Sequence, residues 1–131
     1  MIVIDTSALI AIFEKEADAA TYAGAIANAE RLVMSALNVY ETAVVLRSRR
    51  GEAAVNQFWI YLDEAQVEIA AFDREQARLA AIAFGQFGRG IHSKAKLNLA
   101  DCAAYALAKS LSLPLLFKGN DFAHTDIEPW R

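Results

Sequence analysis

The chain alternates short, continuous apolar runs with longer stretches of helical periodicity. Met1-Ile2-Val3-Ile4 is rich in β-branched residues and is closed by Asp5-Thr6-Ser7, the pattern of a buried strand running into a helix N-cap. A short helix over Ala8 to Glu14 is predicted next, and Asp18 caps a second one through Asn28. Arg31 to Met34 reads as a second strand, ending at Ser35. Tyr40 to Arg49 returns to helical spacing and Gly51 stops it; Glu52 to Glu64 then places Val55, Phe58, Trp59 and Leu62 on one helical face. Val67 to Ala71 is the third strand. Asp73-Arg74-Glu75-Gln76 has the form of a capping box and opens an alanine-rich helix reaching about Phe87. A basic loop bearing Gly88 and Gly90 follows, from Phe87 to Lys96. Leu99 to Leu111 is helical and apolar nearly all round, which places it in the middle of the fold. Pro114 ends that connection, Leu115 to Phe117 gives a fourth strand, and Ile127 falls in a short fifth.

Strands that read as unbroken apolar runs and alternate with helices indicate a parallel sheet covered on both faces. The expected fold class is therefore α/β: a three-layer α/β/α sandwich around a mostly parallel sheet. A length of 131 residues, with no linker or repeat, suits one domain over 1–131. The 56% hydrophobic and 22% charged composition excludes a disordered tail protein. Apolar stretches end well short of the roughly 20 residues that a membrane span needs, and the N-terminus lacks the charged start of a signal peptide, so a cytoplasmic location with no membrane partner is expected. Cys102 is the only cysteine, which removes an internal disulfide and a cysteine-cluster zinc site.

Four lone acids break this pattern. Asp5 ends the first apolar run, Glu41 and Asp101 interrupt apolar helical stretches, and Asp121 follows Leu115-Leu116-Phe117. Taken singly, Asp5 is equally a helix cap, Asp101 an N3 acid three residues after Asn98, and Asp121 an ordinary turn residue. Glu41 resists such a reading, because its neighbours at helical spacing are Leu37, Val44 and Val45. All four map to the carboxyl ends of the strands, where parallel α/β sheets bind ligands. A carboxylate in apolar surroundings is costly unless it meets a cation or a metal, and no buried-looking Lys or Arg lies near. An all-carboxylate site suits Mg²⁺ or Mn²⁺; His92 and His124 lack ligand spacing and fit solvent or substrate contacts better. Such a site suits metal-assisted attack of water on a phosphodiester. The net charge of −3 does not exclude a nucleic acid substrate. Of 16 Asp and Glu, four assigned to a metal leave 12 against 13 Lys and Arg, a balance of +1. Two basic clusters stand out, Arg47-Arg49-Arg50 and Arg89-Lys94-Lys96. The first also reads as a helix end favoured by the dipole, the second as a loop suited to RNA phosphates.

Ile2-Val3-Ile4-Asp5-Thr6-Ser7-Ala8-Leu9, the helix bearing Glu41, Asn98-Leu99-Ala100-Asp101 and Leu116-Phe117-Lys118-Gly119-Asn120-Asp121-Phe122 together resemble the acidic motifs of PIN-domain ribonucleases, above all the toxins of VapBC toxin–antitoxin modules. The resemblance runs through the whole chain. It implies a Mg²⁺-dependent endoribonuclease, with Mn²⁺ as a substitute. Asp5, Glu41, Asp101 and Asp121 are then the catalytic, metal-binding acids, supported by Thr6 and Asn98, with Arg89, Lys94 and Lys96 as RNA contacts. Together with an apolar helical surface around Ile12, Phe13, Phe58 and Trp59, it also implies a homodimer and a VapB-like antitoxin that covers this surface and presents a cation to the acids. Alternatives are a housekeeping PIN nuclease of RNA processing, a non-catalytic phosphoacceptor or binding module, and a haloacid-dehalogenase-like phosphohydrolase. The last needs an Asp where this chain has Ser7.

Overall fold

The computed structural model describes residues 1–131. Its elements follow in the order β1 (Ile2–Ile4), α1 (Thr6–Phe13), α2 (Ala19–Asn28), β2 (Leu32–Ser35), α3 (Ala36–Arg50), α4 (Glu52–Glu64), β3 (Glu68–Ala70), α5 (Arg74–Phe87), α6 (Leu99–Leu111) and β4 (Leu115–Leu116). The four strands form one sheet in the order β3-β2-β1-β4, and every pairing is parallel.

Alternation along the strands divides the core in two. Ile2 and Ile4, Leu32 and Met34, and Leu116 point into one layer, where α1, α2, α3 and α4 cover them with Leu9, Ile26, Leu46 and Phe58. Val3, Val33 and Leu115 point the other way, onto the small-residue face of α6 and onto α5. The α6 helix presents Ala104, Ala106 and Ala108 there, so its backbone lies close against the sheet. That packing makes α6 the central helix which its all-round hydrophobicity predicts. The result is a three-layer α/β/α sandwich. No helix is long and apolar enough to cross a membrane.

Several local details depart from the sequence reading, each for a chain-level reason. Helix α3 starts at Ala36 rather than Tyr40, because the Ser35 hydroxyl caps it, accepting from the Leu37 N–H at 3.3 Å. Helix α1 starts at Thr6 because Asp5 is its N-cap. The box expected at Asp73 is half formed: Asp73 accepts from Gln76 N–H at 3.0 Å, but the Gln76 amide turns away to donate to Ser110 on α6. Ile127 forms no strand; the terminal segment makes only an isolated bridge from Pro129 to Leu115. Phe58, expected on an apolar surface with Ile12, Phe13 and Trp59, is fully buried and meets the Phe13 ring edge-on at 6.0 Å. Ile12 and Phe13 pack against the same core. What α4 leaves exposed is Trp59 and its neighbour Ile60.

Candidate functional site

Strand order reverses beside β1: β2 and β3 lie on one side of it and the last strand, β4, on the other. In parallel sheets a crevice opens at such a point, outside the carboxyl ends of the strands. Asp5 leaves β1 there, with its N–H donating to Leu116 O at 2.9 Å, and its side chain is 3% exposed. Its Oδ2 accepts from both the N–H (3.0 Å) and the hydroxyl (2.6 Å) of Ser7. Its Oδ1 is buried and has no hydrogen-bond partner. Ser7 Oγ in turn accepts from the Lys118 N–H at 2.9 Å, which ties the first turn of α1 to the segment after β4.

Asp101 has the helix-capping place that the sequence allowed. It is the N3 residue of α6 in a reciprocal capping box: Asn98 Oδ1 accepts from Asp101 N–H at 2.8 Å, and Asp101 Oδ2 accepts from Asn98 N–H at 3.0 Å. Only its second oxygen remains for other work. The box fixes the carboxylate at the mouth of the crevice, with Asn98 as its partner.

Thr6 does not support Asp5. Its hydroxyl donates to Asn38 O at 3.2 Å, and Ser7 holds the carboxylate instead. Thr6 belongs to a polar knot around Asn38, a fully buried residue of α3. The Asn38 amide donates to Ala100 O at 3.0 Å and to Thr6 Oγ1 at 3.4 Å, while Thr42 donates to Asn38 O at 2.7 Å. This knot pins the acid-bearing ends of α1, α3 and α6 together. Sequence reading passed over both Ser7 and Asn38. The available signals were a hydroxyl two residues after the lone acid, and an amide set one turn before Thr42 on an otherwise apolar stripe.

These elements enclose a cleft of about 310 Å³ whose walls carry Asp5, Glu41 and Asp101, with Glu16, Arg49 and Lys118 at its edges. Glu41 is half-buried, while Asp121 is exposed, in the turn after Gly119, and stands outside the cleft lining. Its charge nonetheless reaches the site. Burial lifts the Asp5 carboxyl from 3.8 to about 6 against the opposing Ser7 hydrogen bonds, with Glu41 and Asp121 raising it further. Burial likewise lifts Asp101 from 3.8 to about 7; the Asn98 N–H opposes the rise, and Asp5, Asp121 and Glu41 add to it. Four acids thus share one electrostatic environment with no matching buried cation. A larger hollow, about 650 Å³, lies at the opposite strand ends beside Met1, Pro114 and Trp130, but Glu128 and Arg131 are the only ionisable side chains on its walls.

The donor set suits a hard divalent cation. The carboxylates of Asp5 and Asp101 each commit one oxygen to the fold and leave one over, and that of Asp5 is a buried acceptor without a donor. No three acids or histidines are drawn close enough to hold an ion by themselves. Mg²⁺ does not require this, since it is usually held by one or two carboxylates and keeps several waters. Asp126 stands apart, accepting from the Tyr105 hydroxyl and from Lys109 Nζ at 3.1 Å. Arg89, Lys94 and Lys96 are exposed on the turn between α5 and α6 and do not line the cleft. His92 organises that turn, its Nδ1 accepting from the N–H groups of Lys94 (3.0 Å) and Ala95 (2.8 Å).

Residues 2–128 match the PIN domain family. Ribonuclease VapC28 of Mycobacterium tuberculosis is 44% identical over 126 residues, covering 96% of this chain and 95% of that protein. Ribonuclease VapC of Mycolicibacterium smegmatis is 45% identical over 125 residues, covering 95% and 96%. Among solved structures, Mycobacterium tuberculosis VapC20, described as a sarcin–ricin loop cleaving toxin, superposes with a TM-score of 0.83 at 17% identity, covering 100% of this chain and 99% of that one. A toxin–antitoxin complex from Klebsiella pneumoniae gives 0.74 at 19% identity, covering 100% and 99%.

Proposed function

The chain belongs to the PIN-domain family, and from that premise we propose that residues 1–131 form one endoribonuclease domain, the toxin of a toxin–antitoxin pair. The reaction is hydrolysis of an RNA phosphodiester, and Mg²⁺, or Mn²⁺ in its place, is the cofactor that the acids would hold. The observation that carries this reading is the unpartnered Asp5 Oδ1, buried in a cleft shared with Asp101 and Glu41. Asp5 and Asp101 are the residues that would hold the ion, and Glu41 and Asp121 complete the acidic field. The chemistry a divalent ion supplies when bound is a water of lowered pKa and a clamp on the phosphoryl oxygens.

The chain's own residues do the rest. Ser7 fixes Asp5 through two hydrogen bonds, and the Asn98 box fixes Asp101. The Asn38 knot sets the distance between their helices. Burial lifts the Asp101 carboxyl to about 7, so near neutrality it takes up a proton far more readily than an ordinary carboxylate. The curated relatives named as ribonucleases support the activity, and the toxin–antitoxin complexes among the structural neighbours support the partner. That partner is a VapB-like antitoxin that places a cation, an Arg, among the acids and so competes with the metal. A homodimer formed through the exposed Trp59–Ile60 surface of α4, in the cytoplasm, completes the assignment.

The test is cleavage of RNA by the purified chain in EDTA and after adding back Mg²⁺ or Mn²⁺, with Asp5→Asn and Asp101→Asn alongside. Disturbing even the outer partners of a metal ligand typically costs about 10–100-fold, so each substitution is expected to cost at least that. Cleavage that survives EDTA, or that Asp5→Asn leaves intact, overturns the reading.

A further inference from the structure

The cleft has a charge problem. Asp5, Glu16, Glu41 and Asp101 all face it, and a polyanionic strand must enter past them. Metal binding offsets charge at the ligands but does nothing for the phosphates on either side of the cleaved bond. Two cations border the same cleft, Lys118 and Arg49. Lys118 is already committed: its Nζ donates to Glu16 and, at 3.0 Å, to Asp18, so it closes the α1–α2 turn onto the segment after β4. Arg49 is not. Its neighbour Arg50 pairs with Glu14 at 2.7 Å, but Arg49 has no carboxylate within salt-bridge distance.

Position supports a role for that free guanidinium. Glu41, Val45 and Arg49 follow one another at i+4 steps along α3, so all three face the same way, and all three line the cleft. Eight residues of helix separate the Glu41 and Arg49 backbones by ~12 Å along the axis. A long side chain there reaches the wall beside the acids, not the acids themselves. Arg47 lies on another side of the helix and does not line the cleft.

We propose that Arg49 is a substrate-positioning residue that grips an RNA phosphate next to the cleaved one, so that the strand enters along the C-terminal half of α3. This rests on the nuclease reading above. The planar fork of an arginine suits bidentate capture of a phosphate, and the charge is placed where the acidic field would otherwise repel the substrate.

The experiment measures the salt dependence of binding to a single-stranded RNA oligonucleotide in EDTA, and KM and kcat in Mn²⁺. The chains compared are the unmutated protein, Arg49→Ala, Arg49→Lys and Arg47→Ala. For Arg49→Ala the expected result is a salt slope shallower by about 0.7, the value of one single-strand phosphate contact. KM should rise roughly tenfold with kcat little changed. Arg49→Lys should keep the slope and recover part of the affinity, and Arg47→Ala should match the unmutated chain. All four should melt together, since both arginines are exposed. The proposal is overturned if Arg49→Ala leaves slope and KM unchanged, if it lowers kcat alone, or if Arg47→Ala produces the same loss. When the unmutated chain shows metal-dependent cleavage, such a result removes only the Arg49 assignment. If the unmutated chain cleaves no RNA with any divalent ion, the nuclease reading falls and this inference falls with it.

Discussion

Replacing Asp101 by Asn should stabilise the metal-free protein at neutral pH, though it removes a helix-capping charge. The carboxyl has an ordinary value of 3.8 and rises to about 7 in the fold. Folding therefore favours its protonated form, and between those values the native state binds more protons than the unfolded chain. Stability then falls as pH rises, beginning near the unfolded value and finishing as pH passes the folded one. A shift of about three units corresponds to roughly 4 kcal/mol at 1.36 kcal/mol per unit. The amide carries no such cost. Its Oδ1 still accepts from the Asn98 N–H, so the loss is confined to the charge at N3, about 0.3–1 kcal/mol. The expected net gain above pH 7 is on the order of 1–3 kcal/mol, several degrees in Tm for a domain of this size. It should shrink to nothing near pH 4. Thermal melts of both proteins across pH in EDTA, repeated with Mn²⁺, supply the measurement. At a free metal concentration of 100 times Kd a bound ion adds about 2.7 kcal/mol, so Mn²⁺ should reverse the order by stabilising the unmutated chain more. A variant that is less stable at pH 8 in EDTA, or more stable by the same amount at every pH, refutes the argument.

Ser7→Ala removes the hydroxyl that joins Asp5 to the Lys118 N–H; it should cost about 1–3 kcal/mol in denaturant melts and at least tenfold in RNA cleavage, whereas a merely structural role would lower stability alone. Asn38→Leu leaves Ala100 O without its donor and Thr6 Oγ1 without the amide, while both threonine hydroxyls still donate to the backbone carbonyl at position 38; it is expected to destabilise by roughly 1–3 kcal/mol, read from urea unfolding, and an unchanged midpoint would mean that the amide does not hold the helices. Trp59→Glu with Ile60→Glu should convert a dimer to a monomer in light scattering without lowering Tm, because both side chains are already exposed. A purified unmutated chain that is already monomeric counts against the interface.

How far the sequence could be read depended on the range of the interactions involved. Strand runs, Gly51 and the all-apolar Leu99–Leu111 segment carry their structure locally, and those elements appear where the periodicity placed them. Asp5 and Asp101 were legible because an unpaired acid in an apolar run is rare for a reason that needs no tertiary knowledge. The supporting side chains were not. Whether Thr6 or Ser7 faces Asp5 depends on where α1 begins, and that is set by Asp5 acting as cap. Phe58 and Trp59 are adjacent on one helix, so only the placement of α4 against Phe13 decides which is buried. Charge density suggested the Arg89–Lys96 turn as a substrate surface and left Arg47-Arg49-Arg50 equally a helix end, but the cations bordering the cleft are Arg49 and Lys118, because only the packing of α3 decides which of its arginines faces the acids.

The hydrogen bond from the Lys118 N–H to Ser7 Oγ spans 111 residues, and the strand that delivers it is the last one in the chain. Ser7, which holds Asp5, leaves the ribosome 111 residues ahead of the Lys118 N–H that donates to its hydroxyl, and ahead of the neighbouring Asp121. A chain growing at about 5–20 residues per second thus spends several seconds with its sheet open on the β4 side. Long-range parallel pairing of this kind is among the slower steps of folding. No nascent fragment lacking β4 can assemble the cleft. The order of translation therefore delays the cleft until β4 and Lys118 have been made.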